Sequence, residues 1–414
     1  MAALAEGKLL WEPDAEFKRR AHLQRYIDWL ARERGLRFTD YEALWRWSVN
    51  DLEAFWQSIV DFFDLRFSTL PTAILASQGM PGARWFPDAT LNYAAQVFRH
   101  ATDERPAILY ASETKPLQAI SWRELERRVA SLAAKLRDMG LRPGDRVAAY
   151  LPNIPETAVA FLAAVSVGAV WSLCAPDAGE VAVEERFKQI EPQMLIAVDG
   201  YVYNGKTVDR SETVRAIAAK LPTLRQMVIV PALTGALDRA RFAQAHDFAE
   251  LVAGDVPLDI QPVPFDHPLW IVYSSGTTGM PKPIVHGHGG IVLEAVKLIT
   301  LHNNIAQDDI FRWYTSSAWI MWNCQVGGLL VGATIALYDG CAVSVRPARH
   351  CRPRRMSGSA TRCAATSGSC RSRAARISRA RSSAATRCCR STPARCNAAA
   401  SAPRSRPMTT PAAR

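Results

Sequence analysis

The sequence predicts an α/β fold with parallel sheets flanked by helices, and three stretches carry that prediction. Pro143-Gly144-Asp145 is a turn signal that leads into the apolar run VAAYL at 147–151. Asn153-Ile154-Pro155-Glu156 has the spacing of a capping box, with proline in the first turn where its missing N–H costs nothing. The helix it opens runs to about Gly168, and AVWSL at 169–173 follows at once as another strand. Strand, helix and strand in that order make a right-handed crossover unit, which implies parallel pairing. Two further apolar runs, 194–198 and LWIV at 269–272, extend the sheet.

The elements before this unit read as helices. Residues 14–35 form one amphipathic helix, with Phe17, Ala21, Tyr26 and Leu30 near one face and arginines elsewhere. Asn50-Asp51-Leu52-Glu53 is a capping box that opens a second helix, whose Leu52, Phe55, Trp56, Ile59 and Phe63 make a broad core-facing stripe. After ARWFPDATLNYA at 83–94, Trp122, Leu125, Val129, Leu132 and Leu136 mark a helix that Gly140 ends.

The stretch YSSGTTGMPKPIVHGHGG at 273–290 follows a buried strand directly. Gly276 and Gly279 free the backbone so that main-chain N–H groups can converge on one ligand. Ser274, Ser275, Thr277 and Thr278 add hydroxyl donors, and Lys282 adds a charge on a long stem. Donors plus one cation, with no acid among them, suit a phosphate chain. An ordinary flexible loop is the competing reading. No Gly-Lys-Ser/Thr ends the run, which excludes a Walker A loop. A helix over about 291–301 is expected to turn its N–H groups and positive dipole end toward the same phosphates. His286 and His288 stand as H-x-H without other nearby ligands, which is weak for a metal site, so none is assigned.

This loop resembles the phosphate-binding loop of the adenylate-forming enzymes, the acyl-CoA synthetase superfamily. PKPIVHGHGG and the polar run after 198 are most similar to its acetoacetate-activating branch, and the lead-in at 83–94 resembles that of the acetate- and acetoacetate-activating members together. The similarity covers residues 10–340. It implies the large N-terminal domain of that fold, incomplete here, in which ATP and a carboxylate give an acyl-adenylate that CoA then displaces, with Mg²⁺ bridging phosphate oxygens. Ser274, Ser275, Gly276, Thr277, Thr278, Gly279 and Lys282 would bind the β- and γ-phosphates, Lys282 acting catalytically. In FRWYTSSAWIMWNCQVGGLL, Ala318-Trp319 stands where relatives carry Gly-Trp, so Trp319, Met321, Trp322 and Asn323 are the expected acyl-pocket residues. An amide at Asn323 would read the β-keto oxygen of acetoacetate. The same tryptophans also fit plain core positions. An acetyl- or propionyl-activating enzyme is the alternative within the class. The family's adenine, ribose, hinge and C-terminal lysine motifs have no match in the chain, which implies an inactive polypeptide as it stands.

The formal charge of +11 misleads. Residues 341–414 hold 17 Arg and no Lys, Asp or Glu, which leaves residues 1–340 at −6. That tail carries 7 of the 9 Cys and no Leu, Phe, Trp, Tyr or Gln, too little apolar surface to offset the entropy of ordering. It reads as disordered, and as out-of-frame translation beginning after LYDG at Gly340. A basic RNA-binding arm is the competing reading, although nucleic acid is not an expected partner. The expected organisation is a helical region at 1–84, a partial AMP-binding domain at 85–340 and the tail at 341–414. Two body cysteines, with no signal peptide or transmembrane-length run, suit a reducing cytoplasmic setting with small-molecule partners and no membrane.

Overall fold

The computed structural model describes residues 11–274 and 279–341, all within one compact unit. The tail expectations, and those for Ser275, Gly276, Thr277 and Thr278, lie outside the described residues. Eleven strands build the two larger sheets: β1 (Pro106–Ser112), β2 (Gln118–Ser121), β3 (Arg146–Tyr150), β4 (Val170–Cys174), β5 (Met194–Val198), β6 (Gln226–Val230), β7 (His246–Asp247), β8 (Pro268–Ser274), β9 (Lys282–Gly287), β10 (Ile310–Phe311) and β11 (Thr334–Asp339). The seven-stranded sheet has the order β7-β6-β5-β3-β4-β8-β9, and the four-stranded sheet β10-β11-β1-β2. From β7 to β8 every pairing in the larger sheet is parallel. The outermost strand, β9, runs antiparallel to β8.

Helices cover both faces of the parallel strands, which is why the inner ones are continuous apolar runs. All five residues of β5 are buried. In the crossover helix Pro155–Val167 every residue but Glu156 is buried. Gly168 ends it at φ +83, where a side chain would be strained. Helix Trp122–Asp138 lays its predicted stripe on the core, capped by Ser121 accepting from the Glu124 N–H at 3.1 Å. Phe161 is the aromatic hub, with ring centroids 5.3 Å from Tyr93 and 5.9 Å from Trp171, Trp270 and Trp322.

Four local expectations are corrected. Residues 14–35 form two helices, Ala15–Arg20 and His22–Glu33, broken where Ala21 is extended. The second is opened by a distant partner, since the His22 N–H donates to Asn304 Oδ1 at 2.8 Å. Asp51, one residue later than Asn50, caps helix Leu52–Phe62 by accepting from Ala54 N–H at 3.2 Å. Asn153 caps nothing; Ile154 holds the cap position without a side-chain bond. The helix expected at 291–301 starts earlier, as His288–Val296, and runs on into a π-helical turn, Lys297–His302.

Candidate phosphate-binding site

Strand β8 delivers the loop. Leu269, Trp270 and Ile271 are buried, while Ser274 emerges exposed at the carboxyl end of the sheet. In open α/β sheets that end is where ligands bind. The Tyr273 hydroxyl fixes the strand end by donating to the Arg186 carbonyl at 2.8 Å. Beyond the loop, Gly279 has φ +104 with open space around its Cα, and the Pro281 carbonyl accepts from Gln189 Nε2 at 3.1 Å. Register pairs Ser274 with Lys282, about 5 Å apart across the strands. Lys282 is exposed and forms no ion pair among the described residues. A hydroxyl and an unpaired ammonium therefore flank the mouth of a glycine-containing loop.

The helix expected to support this loop does not reach it. PKPIVHG forms β9, in which Ile284 and Val285 pair with Val272 and Ile271 and carry the chain back to the amino end of β8. Six residues of strand span about 20 Å, so the start of helix His288–Val296 lies at the opposite end of the sheet. Its histidines hold structure. His286 Nδ1 accepts from Trp270 Nε1 at 2.8 Å, and His288, 0 % exposed, accepts from the Tyr93 N–H at 3.1 Å through Nδ1. Burial, with His267 beside it, pushes His288 down to about 3. A Cβ on Gly289 would stand 2.1 Å from Phe265 Cδ2, so the glycine lets the helix start pack directly on the Phe265 ring.

The segment carrying the expected acyl-pocket residues is pinned to the carboxyl end of β3. Ser317 Oγ donates to the Leu151 carbonyl at 2.6 Å, and Trp322 Nε1 donates to Asn153 Oδ1 at 3.1 Å. Only β4 separates β3 from β8, so this segment sits about 10 Å along the sheet edge from the loop. Trp319 is 69 % exposed, Trp322 is fully enclosed against Phe161, Met321 is half-buried and Asn323 is buried. Asn153, Ser317 and Gln189 were not singled out as site residues; only the tertiary fold brings them to this edge.

A separate cavity of about 370 Å³ lies among the carboxyl ends of β1, β3, β5, β6 and β11, lined by Ser112, Lys115, Glu156, Tyr201 and Asp339 among others. None of the predicted site residues lines it. Burial, with Glu113 and Glu156 nearby, pushes Asp339 up to about 6. Glu113 accepts from three backbone N–H groups, of Asn204 (2.8 Å), Gly205 (2.7 Å) and Cys341 (2.5 Å), and so ties the hairpin Gly200–Asp209 to the end of β11. No helix among the described residues is long and apolar enough to cross a membrane, and no three His, Cys, Asp or Glu side chains among them are grouped to hold a metal.

Fold and loop together define an α/β protein that presents a phosphate-type loop at the carboxyl edge of a parallel sheet. Residues 95–352 match the family described as AMP-binding enzyme, and the chain belongs to that family. Residues 41–97 match the acetyl-coenzyme A synthetase N-terminus. The chain is 41 % identical over 339 residues to an acetoacetyl-coenzyme A synthetase of Rhizobium meliloti, covering 80 % of this chain and 51 % of that protein. It is 36 % identical over 354 residues to an acetoacetyl-CoA synthetase of Gallus gallus, covering 83 % and 53 %. Among solved structures it resembles the acetoacetyl-CoA synthetase of Streptomyces lividans, with a TM-score of 0.77 and 49 % identity over 80 % of this chain and 51 % of that one. The chain thus spans about half the length of the relatives it matches.

Proposed function

We propose that this chain carries the ATP- and acyl-binding part of an acetoacetate–CoA ligase, which makes acetoacetyl-CoA, AMP and diphosphate from acetoacetate, ATP and CoA through acetoacetyl-adenylate. The carrying observation is the 49 % identity to the Streptomyces lividans acetoacetyl-CoA synthetase, combined with the Ser274–Lys282 loop at the carboxyl end of β8. In this reading Ser274, Ser275, Gly276, Thr277, Thr278 and Gly279 cradle the β- and γ-phosphates. Lys282 offsets the charge that builds on departing diphosphate, a term that works only when the donor is fixed in advance. Mg²⁺ bound with ATP would offset phosphate charge beside Ser274 and Lys282; no three His, Cys, Asp or Glu side chains among the described residues are grouped to hold it. Trp319, Met321, Trp322 and Asn323 would shape the acyl side, about 10 Å along the same edge. The proposed organisation is a helical region at 1–84, an AMP-binding part at 85–340 and a tail at 341–414. The free thiols of Cys174 and Cys324 favour a reducing, cytoplasmic setting.

The match at 41–97 favours a second reading, an acetate-activating enzyme. ATP–diphosphate exchange separates the two. Residues 1–340 would be joined to the remaining half of the Streptomyces lividans protein and assayed with acetoacetate, acetate and propionate. Acetoacetate should be preferred, and Asn323→Leu should reduce that preference about threefold to tenfold, the loss of one hydrogen bond to a neutral group. Preference for acetate would support the second reading. No exchange with any of the three acids in a folded chimaera would refute both.

A further inference from the structure

Helix Glu180–Lys188 ends beside Ser274 and Lys282, and its last carbonyls, which have no partner inside the helix, are taken up there. The Arg186 carbonyl accepts from the Tyr273 hydroxyl at 2.8 Å, and the Glu185 carbonyl accepts from Gln189 Nε2 at 2.8 Å. That amide nitrogen carries two N–H groups, and it also donates to the Pro281 carbonyl at 3.1 Å. Each bond to the loop's feet falls one residue before an expected phosphate ligand: Tyr273 before Ser274, Pro281 before Lys282. The helix itself is a firm bracket. Val183 and Phe187 are buried, and Lys220, at the end of helix Ser211–Ala219, pairs with Glu180 and Glu184 at 2.8 Å. We propose that Gln189 is a positioning residue for Lys282, fixing the strand end from which its ammonium meets a phosphate chain.

The inference rests on the ATP-binding reading above. Gly279 and Met280 are exposed, so Pro281 is the first buried residue on the way into β9. Proline has no N–H, which leaves its carbonyl as the one backbone group that can be held. Gln189 holds it. The ladder between β8 and β9 closes at Ser274 and Lys282, the terminal pair and therefore the place where the strands are least constrained by each other. A lysine ammonium rides on a flexible stem, so its reach is defined only as well as its backbone is. A charge that offsets developing negative charge is effective when it is fixed beforehand. Gln189 touches no phosphate in this arrangement; it acts through the backbone of its partner's neighbour.

A double-variant cycle tests this on the full chain, with tripolyphosphate binding at low ionic strength read by calorimetry. The four proteins are the parent, Gln189→Leu, Lys282→Ala and the two changes together. Leucine keeps most of the side-chain volume but donates no hydrogen bond. Gln189→Leu should raise Kd about threefold to tenfold, because affinity falls with the fraction of molecules holding the competent strand end, which one neutral hydrogen bond sets. In the Lys282→Ala background the same change should alter Kd by less than about twofold, since the group being positioned is gone. A merely structural role would weaken binding equally in both backgrounds. Gln189 is exposed, so urea midpoints should stay at the parent's value. Gln189→Asn, which keeps an amide one methylene too short, repeats the test with a polar side chain and should match leucine. Equal weakening with and without Lys282 overturns the proposal. So does unchanged affinity in both Gln189 variants while Lys282→Ala still weakens binding, and the ATP-binding reading then stands. Binding that ignores Lys282 altogether overturns both.

Discussion

His288 offers a direct test of the packing at the start of helix His288–Val296. Its ring is fully enclosed, its Nδ1 accepts from the Tyr93 N–H, and burial holds it down to about 3. An unfolded histidine titrates near 6.5. As pH falls below about 6.5, the unfolded chain takes up a proton there while the folded chain does not. Stability is therefore lost on acidification, at about 1.4 kcal/mol per pH unit for one fully linked site. Between pH 6.5 and 5 this site alone costs about 2 kcal/mol. His100, which burial drives down to about 4, pulls in the same direction. Asp339, pushed up to about 6, pulls the other way, because the folded state protonates it first. Comparing the parent with His288→Gln cancels those shared contributions. Gln keeps a neutral acceptor for the Tyr93 N–H but cannot titrate. Urea unfolding at pH 7 and pH 5 should show the parent losing about 2 kcal/mol more than the variant over that interval. Identical pH dependence in the two proteins would refute the argument that an uncharged, buried His288 supports the fold.

Gly289→Ala should cost about 1–3 kcal/mol in thermal or urea unfolding, because the added methyl has to displace the Phe265 ring; an unchanged midpoint would contradict the close approach. Trp322→Phe should cost about 1–3 kcal/mol by leaving the buried Asn153 oxygen without its donor, and a double variant with Asn153→Leu should recover part of that loss. Lys282→Ala should weaken tripolyphosphate binding at low ionic strength, measured by calorimetry, with the difference fading as salt shortens the screening length. Salt-independent binding that ignores Lys282 would place the anion elsewhere.

Much of the architecture was legible in the sequence because burial on both faces writes itself as unbroken apolar runs. VAAYL, AVWSL and residues 194–198 became β3, β4 and β5, within a residue at most of their ends, and the Trp122 helix follows its stripe. What failed to show were bonds between residues far apart in the chain. Nothing near Ala21 says that Asn304 will cap the next helix. Asn153 has ideal local spacing for a cap, yet its amide is taken by a tryptophan 169 positions away. The HGHGG run read as the end of a loop because its residues are small and polar. Its β-branched neighbours Ile284 and Val285 instead pair with β8 and move the helix start to the opposite end of the sheet. The loop's chemistry was read from residue types alone, and its position at the carboxyl end of β8 adds a geometric reason for it.

Strand β9 has one further consequence. It is the outermost strand of the larger sheet, and Ile284 and Val285 are exposed on it. One side of its backbone is hydrogen-bonded to β8; on the other, no strand among the described residues pairs with it. Such an edge is a template for pairing with any extended chain, including another copy of itself. Pro283 interrupts the edge at one place, and Lys282 adds repulsion at the end nearest the loop. Between Ile284 and Gly287 there is no such guard. Growth of intermolecular β-structure from this hairpin therefore competes with solubility whenever the edge is left bare, and a charge placed at Val285 is the smallest change that should suppress it.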